Sequence, residues 1–479
     1  MDMGISMIGG LVLFLISIGY YSFTHDLWGI LCIMIIVQCA WIRLCKEEII
    51  GRLLYTLVVV SAAVMSVWIH DMRYTSMLGD AKTQTILTTG VILNHTKQGQ
   101  YEFEDAVGRS RVLKSDAVVD IGQTVRVSGK VQWADTTKKQ LLGMFDYGRW
   151  LKMKGYAGQL QALRVDVNHG SKTSIVFRMR NWVSKQIATV FGTSAEAGLL
   201  HGMLVGSKRG IPKEQYDGFI SSGLVHLIAV SGGNVMMVSI FLGRLLCRVP
   251  YYMRLCLIAG GIVLYGMLCG ADSSVVRAVL MGLLGLVALF AGRMVDSLRI
   301  VAIVMVVMLL QNPYYLLYDM GFVLSFAAVT GVIVLSNWWQ YKRASRSVEK
   351  PHILIRWCYS GIGNYIVPTL GATLGVLPVL LLFSGSYNLT GLVGNIIIIP
   401  LVPIIMVGGV LTFALHGIRG ADTLTAGVSW LLQIIYHMSD WINGHGYRVL
   451  TSHVFAKFLM VMLCGYVLRY MDRGSRTVI

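Results

Sequence analysis

The residues with the most chemistry to offer lie inside a run that otherwise reads as a membrane helix. GLVHLIAVSGGNVMMVSIFL, residues 223–242, is apolar, yet it holds His226, Ser231, Gly232, Gly233 and Asn234. Two glycines beside a serine and an asparagine weaken a helix at membrane depth. Irregular backbone is tolerated there only when protein buries it or when it lines a water-filled cavity. Broken helices of this kind mark binding or permeation sites. The plainer account is a close helix crossing made by small residues, with His226 bonded to a neighbour. A second constellation is GADSSVVRAVLMG, residues 270–282, with Asp272 and Arg277 flanking two serines. An arginine one turn into a span snorkels, pairs with an acid or faces a polar path. Weaker polar signals follow at Asp319, Ser325 and Thr330, and then at Pro378, Asn388, Asn395, Pro400 and Pro403. These residue types hydrate or contact a passing solute rather than break bonds. His226, Ser231, Gly232, Gly233, Asn234, Asp272, Arg277, Ser325 and Asn395 are therefore the candidate lining of a path.

The elements that must position them are set by composition. Of 479 residues, 55% are hydrophobic and 14% charged, against about 25% charged in soluble domains. The expected fold class is a polytopic α-helical membrane protein with a small all-β domain inserted. Apolar stretches fall near 5–22, 26–42 and 52–70, and then near 221–246, 255–271, 274–292, 299–311, 319–337, 361–383, 389–415, 424–441 and 454–470. That is about twelve spans, of which 299–311 and 424–441 are short enough or polar enough to be partial. The N-terminal stretch lacks a basic leader and a cleavage site, so it reads as a retained helix.

Between the third and fourth stretches the chain changes character. Residues 81–172 carry 14 Lys plus Arg against 8 Asp plus Glu and have no apolar run of membrane length. Strand-like runs alternate with turn residues, as in TQTILTTGVIL, QYEFEDAV, RSRVLK and QTVRVSGKVQW. Four or five such strands make a small barrel or sandwich, and DIGQTVRVSGKVQ has the rhythm of an OB-type strand. The basic residues Arg109, Arg111, Lys114, Arg126, Lys130, Lys138 and Lys139, with Trp133, could track a phosphate backbone and stack on bases. Any one of them could equally be part of a solvated face. The expected organisation is therefore transmembrane helices over 1–72, the β domain over 73–172, amphipathic surface helices over 173–216 and a membrane-embedded domain over 217–479.

The sequence also narrows the chemistry. All eight cysteines lie in or next to apolar segments, with none from 46 to 246, so the β domain has no disulfide of its own. No zinc-finger spacing, HxHxDH or HExxH metal motif, phosphate-binding GxxxxGK[ST] loop or GxSxG elbow occurs. The expectation is a non-enzymatic chain without catalytic residues, metal or cofactor. The charge excess of 17 reflects either the bias of cytoplasmic loops or an anionic partner.

At this point the blocks resemble a family. GLVHLIAVSGGNV is similar to the signature of the ComEC competence family, the membrane channels of bacterial DNA uptake. FDYGRWLKMKGYAGQL, SSVVRAVLMG, PYYLLYDMGFVLSFAAVTG and LPVLLLFSGSYNLTGLVGNIIIIPLVP resemble its further blocks in order. The resemblance implies passage of single-stranded DNA through the cytoplasmic membrane. Implied partners are that strand, membrane lipid, a DNA receptor outside, a helicase inside and a separate nuclease. Gly233 and Asn234 depart from the family, which carries an apolar residue and then a histidine there, so no role of that histidine transfers. Many members also end in a metallo-β-lactamase-like domain, whereas this chain ends at Ile479. Two other classes remain: a channel for another polyanion or an envelope component, and a membrane enzyme using His226 or Asp272 as acid or base.

Loop charge sets the expected sidedness. Arg43, Lys46 and Arg52, then Arg248, Arg254 and Arg293, then Lys342, Arg343, Arg346, Lys350 and Arg356 all fall in links on one side. Positive links face the cytoplasm. Both termini are then cytoplasmic, the β domain lies outside, and Arg448 is the exception. Reporter fusions at residue 120 and residue 345 should therefore signal from opposite sides of the membrane, and the same side for both would refute the arrangement.

Overall fold

The computed structural model describes residues 62–72, 85–133, 147–168, 175–344, 363 and 366–450, apart from short turn positions within those stretches. The stretches 5–22 and 26–42, most of 52–70, and 454–470 lie outside the described residues.

A helix over 62–72 (α1) leads into the β domain. Its strands are β1 (Thr85–Lys97), β2 (Gln100–Asp105), β3 (Ser110–Lys114), β4 (Thr124–Trp133) and β5 (Tyr156–Asn168), and α2 (Tyr147–Lys154) stands before the last strand. They close into a barrel in the order β1-β2-β3-β5-β4. All pairs are antiparallel except β3 with β5. Side chains that alternate along the strands fill the interior: Tyr101 and Phe103 from β2, Val125, Val127 and Val131 from β4, and Leu160 from β5. Period-two alternation puts every second residue inside, which leaves Arg126 and Lys130 outside.

The helical part follows. In chain order it comprises α3 (Ile175–Phe191), α4 (Ala195–Val205), α5 (Lys213–Ser222), a 3-10 turn (Val225–Leu227), α6 (Gly232–Leu245), α7 (Tyr251–Leu268), α8 (Ser273–Phe290), α9 (Ser297–Gln311), α10 (Tyr315–Tyr318), α11 (Met320–Ala344), α12 (Val367–Ser384), α13 (Thr390–Ile398), α14 (Leu401–Ala414) and α15 (Ala421–His445). Among the described residues four segments are long and apolar enough to cross a membrane: Val225–Leu245, Tyr251–Leu268, Ser273–Phe290 and Met320–Tyr341. A fifth arises if α13 and α14, bent by 45° at their junction, count as one span. The outward faces carry Met236, Phe241, Leu257, Leu264, Val287 and Phe290 exposed, as lipid contact requires. The chain is a membrane protein.

The two runs named as partial fit that reading, and the surface assignment of 173–216 changes. The run 299–311 is a helix of 15 residues, short for a crossing. The run near 424–441 is α15, whose apolar side joins the core while Trp430, Asp440 and Trp441 stay exposed. The surface segment expected over 173–216 is amphipathic only in α3. From Ala197 to Val205 every residue of α4 is buried. Apart from Glu196 in its first turn and a buried His201, α4 is apolar on all sides, so it belongs inside a helix cluster and not on a surface. There Leu199, Leu200 and Met203 pack with Ile405, Leu432 and Ile435.

The tightest helix contact joins α11 and α12. A Cβ on Gly331 would collide with the carbonyl of Gly371, one on Gly371 would lie 2.7 Å from the Gly331 carbonyl oxygen, and one on Gly375 would collide with the Ala327 carbonyl. Small residues let backbones meet where dispersion, not water exclusion, drives packing. Gly331→Val should therefore destabilise the detergent-solubilised protein by at least the ~1–3 kcal/mol typical of overpacking, read as a lower melting temperature. Gly285→Ala in α8, where a Cβ meets nothing within 4 Å, should leave it unchanged or raise it.

Candidate functional site

The break in the 225–245 segment lies just before the glycines. After the 3-10 turn the chain is extended at Ser231 (φ −106°, ψ 169°), and α6 starts at Gly232. Protein covers the break on one side. The Val230 carbonyl accepts from Ser274 Oγ at 3.3 Å, and Asn234 Nδ2 donates to the Met203 carbonyl of α4 at 3.1 Å. Gly202 sits against Ile228, where a Cβ would lie 3.1 Å from the carbonyl oxygen. α4 is therefore the scaffold that lets α6 begin in mid-segment.

On its other side the start of α6 meets Arg277 of α8. A Cβ on Gly232 would lie 3.2 Å from Arg277 Nη2. Arg277 is 5% exposed, so it does not snorkel. It does not pair with Asp272 either, because that carboxylate faces Lys154 Nζ at 3.6 Å. Instead Arg277 Nη1 donates to the Ser325 carbonyl of α11 at 2.6 Å, and the guanidinium lies over the Phe326 ring at 5.7 Å. Arg277 Nε and Ser325 Oγ are buried without a hydrogen-bond partner. Ser231 makes no side-chain capping bond to α6; its Oγ faces Asn234 Oδ1 at 3.4 Å.

Three of the nine lining candidates, Gly232, Arg277 and Ser325, thus converge. Asn234 holds the α6 start to α4, and Ser231 Oγ donates to Asn234 Oδ1. Gly233 is exposed, on the same first turn. Asp272 stands just before α8 without a side-chain capping bond, its carboxylate 3.6 Å from Lys154 Nζ. His226 is exposed, with Nδ1 3.2 Å from the Gly223 carbonyl. Asn395 lies on α13, whose Gly394 packs against Leu224 and Ile442. Among the described residues no hydrogen bond or ion pair links His226 or Asn395 to Arg277.

The barrel is docked at the helix ends that lead to this place, and its attachment was not anticipated from sequence. α2 has two working faces. Leu151 packs on Val112 and Tyr156 of the barrel, while Met153 packs on Val67 of α1 and on Tyr314. Asn312 Nδ2 donates to the Met153 carbonyl at 2.7 Å, Tyr314 Oη donates to Asp71 Oδ1 at 2.6 Å, and Lys152 pairs with Asp71 at 2.6 Å. Beside this clamp lie Glu102, Lys154, Asp272, Asp319 and the buried Arg180, close enough to perturb one another electrostatically. Burial opposes charge on Lys154, yet Asp272, Asp319 and Glu102 together raise its pKa. Burial raises Glu102, against a hydrogen bond from the Tyr156 hydroxyl and the Lys154 charge. The one sequence signal for Lys154 was its place in FDYGRWLKMKGYAGQL.

The barrel candidates separate by exposure. Arg126 and Lys130 share the outer face of β4, and Lys114 is half-buried. Arg126 stands opposite Asp166, which also pairs with Arg164 at 3.1 Å. Arg111 is corrected from a surface contact to a structural one: it is 3% exposed and binds Asp105 at 2.6 Å. Arg109, Lys138, Lys139 and the Trp133 side chain lie outside the described residues. Among the described residues no group of three or more His, Cys, Asp or Glu could hold a metal ion.

A family model described as Competence protein matches residues 203–474. The chain belongs to that family. The match begins inside α4 and contains the α6 break, Arg277 and Ser325. ComE operon protein 3 of Bacillus subtilis is 28% identical over 255 residues, which is 51% of this chain and 30% of that protein. An uncharacterized protein of Aquifex aeolicus is 23% identical over 274 residues, 56% of this chain and 59% of that one. The chain thus matches less than two thirds of either relative's length. No solved structure matches it.

The Glu102 shift has a sign. Because burial raises its folded pKa, its contribution is fully present below the ordinary glutamate value and is lost as pH rises through the shifted one. Glu102→Gln keeps an acceptor for Tyr156 and removes that loss. The variant should melt above the wild type near pH 8, and the difference should vanish near pH 4. A variant that melts lower near pH 8 would show that attraction to Lys154 outweighs burial.

Proposed function

We propose that this chain conducts single-stranded DNA across the cytoplasmic membrane during natural transformation. The observation that carries the reading is a buried, carboxylate-free arginine at a helix start between apolar spans, in a chain of the competence family. A charge inside a span is expensive and is retained for function by default. The name of the Bacillus relative, ComE operon protein 3, agrees with a competence role.

In this reading the barrel is OB-like and extracytoplasmic, both termini are cytoplasmic and the full chain crosses about twelve times. Arg126 and Lys130 capture the strand on the outer face of β4. Arg180, Lys154 and Asp272 form the charged vestibule that receives it, and the strand then passes the α6 start beside Arg277. These residues contact a moving strand and no bond-breaking step is assigned to them. A receptor outside, a helicase inside and a separate nuclease would complete the process. The same geometry on another polyanion is the competing reading, and cargo choice separates the two.

The test uses the full chain in liposomes with a fluorescent oligothymidylate outside. The labelled strand should accumulate inside, protected from added nuclease, and dextran sulfate of similar charge should not. Equal passage of both, or of neither, refutes the DNA reading. Arg126→Glu with Lys130→Glu should remove two phosphate contacts, at about 0.7 each in the salt exponent. That is roughly sevenfold of the affinity gained between about 200 and about 50 mM salt.

A further inference from the structure

We infer that the turns joining α6 to α7 and α8 to α9 form a binding site for the headgroup of an acidic phospholipid. The inference rests on the chain being a membrane protein and not on its cargo. Both turns lie at one end of the helical part, because α6, α7, α8 and α9 pack in succession and short links join them. Residues 244–254 hold Arg244, Arg248 and Arg254 with no acid, and residues 289–299 hold Arg293 and Arg299 with Asp296. Arg254 is half-buried and the other four arginines are exposed. Among the described residues none of the five makes an ion pair. Asp296 instead caps α9, accepting from the Leu298 amide at 3.1 Å. Helix dipoles do not neutralise the excess. α6 and α8 end here, each bringing about half a negative charge, and α7 and α9 start here, each bringing about half a positive one.

The two turns are tied to one another. Tyr251 Oη donates to the Leu289 carbonyl at 3.3 Å, and the Tyr252 and Phe290 rings meet at 5.0 Å. Arg254 lies over the Tyr251 ring at 5.7 Å, and the Arg293 amide donates back to the Ala288 carbonyl at 2.9 Å. The arginines therefore stand on held backbone. Tyr251, Tyr252 and Phe290 stay exposed, and so do Leu245, Met253 and Leu289. Tyrosines collect where a membrane meets water, which puts the guanidiniums at headgroup level above an apolar face. Guanidinium groups take phosphate oxygens in pairs, and basic pockets between membrane helices hold acidic headgroups. A phospholipid satisfies both halves at once, its phosphate on the arginines and its chains on the apolar face. A nucleic acid matches only the charge. A zwitterionic lipid brings an ammonium group that the same arginines repel.

The experiment measures binding of phosphatidylglycerol and phosphatidylcholine to the detergent-solubilised full chain by native mass spectrometry. The wild type should prefer phosphatidylglycerol. Arg248→Gln or Arg293→Gln should each lower its affinity about fivefold, and the two together about thirtyfold, at the energy typical of one arginine near an acidic surface. Arg164→Gln, on the barrel, should leave it unchanged. Equal affinity of the wild type for both lipids overturns the site. So does an unchanged preference in the double variant, with folding verified by its melting curve. If the double variant does not fold, an unchanged preference in both single variants overturns it. Displacement of phosphatidylglycerol by oligothymidylate at equal phosphate concentration would assign the patch to nucleic acid and overturn the lipid site as well.

Discussion

The Arg277 guanidinium lies buried where α6, α8 and α11 meet, facing a helix start instead of a carboxylate. Everything nearby is arranged so that this contact can exist. α6 has to begin in mid-segment, so the chain before it leaves helical geometry at 228–231. That break would expose unsatisfied backbone to lipid, where no water can repair it. α4 removes the problem by packing its buried stretch, Ala197–Val205, against it, with Met203 receiving Asn234 and Gly202 admitting Ile228. Ser274 of α8 satisfies the Val230 carbonyl from the other side. The site is thus one unit of four helices.

A second constraint fixes the barrel relative to that unit. α2 is short, and by itself it would be marginal. It is held because one face completes the barrel and the other meets α1 and the 312–314 turn. The Asp71, Lys152 and Tyr314 contacts and the Asn312 bond are partly or fully buried, where satisfied polar groups confer register as well as stability. They place Glu102 and Lys154 of the β domain beside Asp272 and Asp319 of the helical part.

The helical part is joined differently away from the site. α11 and α12 meet backbone to backbone through Gly331, Gly371 and Gly375, while α4 and its neighbours interlock through Leu200, Leu432 and Ile405. The first contact depends on absent side chains and the second on large ones. Both suit an environment in which lipid already solvates apolar surface, so shape complementarity carries the association.

The sequence by itself determined the class of the molecule. Long apolar runs and alternating strands are local patterns, so apolar helices and a small β domain of four or five strands, barrel or sandwich, were both legible, as was membership of the competence family from ordered blocks. It also singled out Gly232, Arg277 and Ser325, because polar residues in apolar runs stand out one at a time. What it could not do was pair them. Asp272 lies five residues from Arg277, and pairing with it was one of three outcomes open to that arginine, yet the turn at Gly270 and Ala271, both at positive φ, leaves that carboxylate facing Lys154. Arg111 looked like surface charge until strand pairing buried it with Asp105. α4 looked like surface helix because its neighbour α3 is amphipathic. Such outcomes depend on which element lies against which, a long-range matter. The meeting of Arg277 with the start of α6, some forty-five residues earlier in the chain, was decided only by tertiary structure.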